Sequence, residues 1–195
     1  MKIDGQDYTL LRDYDKGKYQ YLTFEGKVEY LRARVELILL SPCRSAMSAA
    51  AVENGGMGLV LTTAICAMIS AAGTFLKGKR APPRQDESFF LDFVHQYMHV
   101  DLQQEVPNHN MTWVGWLYRD VRCGLAHAFA IETGGIEISQ KYLEVKPYGP
   151  EICPKQLLED FASGWTRYLS RVLSDGPGNG LGELFERRFD QIFHD

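Results

Sequence analysis

A chain of 195 residues, 45% hydrophobic and 24% charged, is long enough to bury a substantial core and lacks the composition of a disordered protein. Its net charge of −4 excludes a broadly basic protein that coats nucleic acid, while leaving room for a local basic site. The four cysteines, Cys43, Cys66, Cys123 and Cys153, form no C-x-x-C pair, which excludes zinc ribbons and thioredoxin-type motifs; with a polar N-terminus they predict a reducing, cytoplasmic setting.

Two readings of residues 1–24 stand side by side, a hairpin turning at Asp15-Lys16-Gly17-Lys18 and an irregular arm. Over 27–40 the apolar positions Val28, Leu31, Val35, Ile38 and Leu39 recur at helical spacing, and Ser41-Pro42 predicts the helix end. Residues 58–76 are uncharged and long enough to cross a bilayer. Thr62, Thr63, Ser70, Gly73 and Thr74 dilute that run, however, and favour a buried central helix, one suited to pairing with its copy in a dimer, over a membrane span. Pro82-Pro83 forbid helix in the basic loop 77–84, whose Lys77, Lys79, Arg80 and Arg84 are candidate contacts to an RNA backbone.

A further helix is predicted from Asp86 or Ser88, with Phe89, Phe90, Phe93, Val94 and Tyr97 for the core. His95 and His99 stand four apart on it, yet Gln96 occupies the place of the glutamate in H-E-x-x-H, so no metal is expected. Pro107-Asn108 breaks the chain before a helix over 110–128. Segments 129–132, 136–139 and 142–145 alternate like strands around Thr133-Gly134-Gly135, predicting a small β-hairpin or three-strand appendage near 129–146. Pro154 opens a helix carrying Leu157, Leu158, Phe161, Trp165, Tyr168, Leu169 and Leu173. The glycine-rich loop 176–180 lacks the Gly-Lys-Ser/Thr of a P-loop, and a last helix covers 181–193. The expected fold is mainly α, a single-domain helical bundle with that small β appendage and no cofactor.

At about 100° per residue, Val114, Leu117, Val121, Leu125 and Ala128 form one core arc of the 110–128 helix. Arg119, Asp120, Arg122, Cys123 and His127 share a different arc, on which Arg122 and His127 stand about 140° apart. An imidazole transfers protons near neutral pH, and a guanidinium stays charged and grips phosphate oxygens, so the pair suits RNA cleavage without metal. The RNA supplies its own 2′-hydroxyl nucleophile. Asp120 is expected to be an exposed charge, and Trp113, Trp116 and Trp165 to pack in the core rather than stack on bases.

The segment 116–127, WLYRDVRCGLAH, resembles the signature helix of the HEPN superfamily, in which an Arg-x(4 to 6)-His motif sits on a late helix of a small helical domain. The order of elements over 27–175 is similar too. The resemblance implies a metal-independent endoribonuclease of toxin, antiviral or stress-response type, acting as a homodimer, with Arg122 and His127 catalytic and Arg119, Asp120 and Cys123 auxiliary. It also implies an antitoxin or other protein partner. Cys123 stands where the family commonly carries Asn, Asp or His, which keeps open a catalytically silent interaction module that binds a protein or nucleotide.

Overall fold

The structure, a computed structural model, describes residues 2–7, 19–48, 56–125, 130, 131, 133–137 and 141–193. Asp4 and Gly5, both with positive φ (49° and 79°), turn a short hairpin between β1 (Lys2–Ile3) and β2 (Gln6–Asp7). Asp-Gly is the dipeptide that a tight two-residue turn favours. The sequence reading did not single out this hairpin, and the turn expected at 15–18 falls outside the described residues.

Thr23 caps α1 (Phe24–Val35), its hydroxyl accepting the Gly26 N–H at 3.0 Å. The predicted stop at Ser41-Pro42 does not occur. A π-helical turn over Glu36–Leu40 runs directly into α2 (Ser41–Met47), with Pro42 in the first turn of that helix. A proline ends a regular helix because it lacks the N–H and its ring clashes with the carbonyl four residues back. A wider π turn, bonded i to i−5, ahead of the proline keeps the chain helical past it. The turn also shifts the apolar face, so Leu37 and Leu39 are exposed while Leu40 is buried.

α3 (Gly56–Leu76) is long and apolar enough to cross a membrane by length and composition. Here it is the central helix, touched by α2, α4 (Asp86–Tyr97), α6 (Pro154–Asp175), α7 (Gly180–Phe193) and the motif helix. Leu61, Thr62, Ile65, Cys66, Ile69, Ala72 and Phe75 are buried along it, while Val60 is 63% exposed. Gly73 lets α4 approach: a Cβ there would stand 2.7 Å from the carbonyl carbon of Phe89, and its nearest neighbour would be the Phe89 carbonyl oxygen. Because both atoms are backbone, Gly73→Ala has to separate the two helices. It is expected to cost about 1–3 kcal/mol, read as a lower midpoint in urea unfolding.

Aromatic rings fill the space between α4, α6 and α7. Phe161 and Trp165 stack at 6.5 Å, Trp165 and Tyr168 at 5.4 Å, and Phe185, Phe189 and Phe193, four apart on α7, are all buried. Lys27 of α1 is buried against α7 and paired with Glu186 and Asp190 at 3.2 and 3.0 Å.

The β appendage is a three-stranded sheet, the larger of the two forms expected, but one of its strands lies beyond the alternating segments. β3 (Gly135–Ile136) pairs in parallel with β5 (Gly149–Ile152), which pairs antiparallel with β4 (Leu143–Lys146). Pro150 hid the central strand. It stands opposite Val145 of β4, one residue before the pairing of Glu151 with Gly135 begins.

Candidate functional site

The motif helix begins at residue 113, later than the predicted 110. Thr112 is its cap, accepting the Gly115 N–H at 3.2 Å, and the preceding residues form a tight loop closed by Val106 N to Met111 O at 2.9 Å. α5 (Trp113–Trp116) then passes into a π-helical stretch over Leu117–Cys123. Bonds to i−5 wind the chain more slowly than 100° per residue, so the arc drawn from ideal helical geometry does not hold across the motif. Val114, Leu117, Val121 and Leu125 are buried as expected, whereas Ala128 lies outside the described residues.

Asp120 does not face solvent. It is buried and accepts a hydrogen bond from the Thr133 hydroxyl, while the indole N–H of Trp116 donates to the Thr133 carbonyl at 2.8 Å. These two side chains, four apart on the helix, clasp the bend at Thr133 that leads into β3. Gly124 permits the close approach of Ala130: Ala130 N donates to its carbonyl at 3.4 Å, and a Cβ on Gly124 would collide with the Ala130 carbonyl oxygen. Trp113, Trp116 and Trp165 are all core residues.

Arg122 is the charged centre of the helix's other side. Its Nη2 lies 3.2 Å from Asp86 Oδ2, and its guanidinium sits over the Tyr118 ring at 5.3 Å. Nη1 reaches Cys123 Sγ at 3.6 Å. Tyr118 in turn donates its hydroxyl to the same Asp86 oxygen at 2.5 Å. The guanidinium is thus held on its face by a ring and on its edge by a carboxylate, and its side chain remains 26% exposed. Burial pushes the Tyr118 hydroxyl well above its ordinary pKa, and its bond to Asp86 adds to that. Beneath the site the buried Cys66 thiol is pushed up to about 12 by desolvation, so it stays protonated at neutral pH.

The Tyr118 hydroxyl, and after it the Arg122 charge, hold the Asp86 carboxyl below its usual pKa. A carboxylate lowered in the native state adds stability at every pH above its unfolded value, about 3.9, and loses it as pH falls through the native value. The melting-temperature gap between the wild type and Asp86→Asn should therefore be constant from pH 5 to 8 and close below about pH 4. A gap unchanged at pH 3 would sever Asp86 from this cluster.

His127 lies outside the described residues, so its distance to Arg122 is not part of the geometry above. Arg119 is exposed, with Nη2 near Met111 Sδ at 3.9 Å, and Cys123 is half-buried. In the basic loop, Lys77 is tied to Asp92 at 2.6 Å, while Lys79, Arg80 and Arg84 are exposed. His99 caps a short 3-10 turn over Val100–Gln103 through Nδ1. Sequence reasoning missed Asp86, which it read only as a helix start, and Tyr118, which it did not single out. No local signal links either to Arg122 except the i, i+4 spacing of Tyr118. An apolar cavity of about 270 Å³, lined by Leu31, Val35, Met68, Phe75, Phe161 and Trp165 among others, shares no residue with the Arg122 cluster. Comparisons with protein-family models, curated proteins and solved structures found no match to this chain.

Proposed function

We propose that this chain is a metal-independent endoribonuclease of the HEPN kind, a homodimeric cytoplasmic helical bundle of toxin, antiviral or stress-response type. The observation that carries the reading is the presentation of Arg122: a guanidinium braced by Asp86 and the Tyr118 ring, a quarter exposed, five residues before His127 in the sequence. A braced cation reorganises little when charge develops on a phosphate, which is the property that transition-state stabilisation needs. In this mechanism the 2′-hydroxyl attacks the adjacent phosphorus and the bond to the 5′-oxygen breaks. His127 takes or delivers the proton, and Arg122 neutralises the charge on the equatorial oxygens. The test is incubation of the purified protein with single-stranded and structured RNA in excess chelator. Cleavage ending in 2′,3′-cyclic phosphate supports it, and intact RNA at all protein concentrations rejects it.

A second reading has its own observation. Asp86 already neutralises Arg122, and Cys123 replaces the polar residue common after this arginine in the resembling family. That combination suits a catalytically silent module that binds a partner protein or nucleotide. It predicts a stable complex without RNA loss in the same assay.

A further inference from the structure

Arg187 and Arg188 of α7 are far from the loop 77–84 in sequence but not in space. The Arg187 Nε donates to Gly78 O at 2.9 Å, and the Arg188 Nε donates to Thr74 Oγ1 at 3.1 Å. Gly78 has φ +62°, and a Cβ on it would lie 2.8 Å from the Leu184 carbonyl oxygen and 2.9 Å from Arg187 Nη2, so the loop backbone lies flush against α7.

Charge is sorted on this helix. Glu186 and Asp190 turn toward Lys27 of α1, whereas Arg187 turns toward the loop and Arg188 toward the last turn of α3 that leads into it. Among the described residues, no carboxylate lies within ion-pair distance of Lys79, Arg80, Arg84, Arg187 or Arg188. Burial, and after it the charge of Arg80, hold Arg188 below its ordinary pKa.

Arg84 precedes Asp86, the partner of Arg122, by two residues, which span at most about 7 Å of extended chain. Arg84 therefore borders the Arg122 cluster. Arginine forks match phosphate oxygens in geometry as well as charge.

We propose that loop 77–84 and α7 form one phosphate-binding surface, built on Arg80, Arg187 and Arg188 with Lys79 and Arg84, that grips the RNA backbone beside Arg122. The proposal rests on the ribonuclease reading for its ligand, and its test is kept separate from cleavage.

Binding is read by fluorescence anisotropy of a labelled single-stranded RNA in chelator, using His127→Ala protein as the reference. For a single strand, each phosphate contact contributes about 0.7 to the slope of log affinity against log salt. Removing three cations (Arg80→Ala, Arg84→Ala, Arg188→Gln) should reduce that slope by about 2, and Arg188→Lys should restore the Arg188 share. Arg80 and Arg84 are exposed, so the double variant controls for misfolding and should still lose about 1.4. An unchanged slope, no RNA binding by the reference protein at 50 mM salt, or equal competition by polyglutamate overturns the surface, whatever cleavage shows. Cleavage that survives Arg122→Ala and His127→Ala overturns the ribonuclease assignment, whatever binding shows.

Discussion

On the ribonuclease reading proposed above, replacing His127 by alanine should lower RNA cleavage by about 10²–10⁴-fold. Arg122→Ala should lower it by about 10²–10³-fold, the range for losing one preorganised donor to a developing anion. Removing the guanidinium takes from Asp86 its cationic partner and exposes the ring that the cation covered, so Arg122→Ala should also be less stable. Arg122→Lys separates these effects. It keeps a positive charge near Asp86 but loses the planar fork, so stability should recover while cleavage stays low. Full activity in Arg122→Lys would mean that the geometry around Tyr118 and Asp86 has no part in the reaction. Activity that follows stability across all three variants would favour the silent-module reading, with trace contamination as the source of the cleavage.

The largest effect on stability is expected at Trp116. Its side chain is fully buried, and its indole N–H is bonded to the Thr133 carbonyl. Trp116→Ala removes a large core side chain and one anchor of the bend at Thr133 together, at a cost of about 3–5 kcal/mol. For a chain of this size that corresponds to a fall of roughly 6–20 °C in melting temperature. Thr133→Ala is the informative companion. It spares the core but takes the hydroxyl from the buried Asp120, which should cost about 1–3 kcal/mol. Thermal unfolding of both by circular dichroism checks the order. If Thr133→Ala were the more damaging, the clasp rather than the tryptophan packing would be the main support of the motif helix.

Most of the helices were legible because their apolar residues repeat at helical spacing. Phe89, Phe90, Phe93 and Val94 of α4, and Phe185, Phe189 and Phe193 of α7, are buried where the pattern puts them. The failures share a physical origin in geometry that departs from the regular period. Pro42 reads as a stop because a regular helix cannot pass it, but the π turn before it does. The π stretch over Leu117–Cys123 similarly shifts the faces of the motif helix, and Asp120 moves from an assumed surface position into the core. Pro150 concealed β5 because a proline argues against a central strand, and it is accommodated here because the pairing with β3 begins only at the next residue.

At the site, the type and position of Arg122 were readable, but its partner was not. Asp86 is 36 residues away on another helix, and only packing brings the two together. The same holds for Arg187 and Arg188, whose neighbours in the chain give no hint of the loop they hold.

The strand order of the small sheet bears on how the protein emerges during synthesis. Its middle strand, β5, is the last of the three to leave the ribosome, so β3 has no partner until residues 151 and 152 exist. The local β4–β5 hairpin forms on a microsecond scale once both strands are present, and only then does it offer an edge to β3. A chain lacking residues 149–152 would therefore keep every residue of the Trp116 and Asp120 clasp on Thr133 yet leave β3 unpaired, and completion of the sheet has to await the segment just ahead of α6.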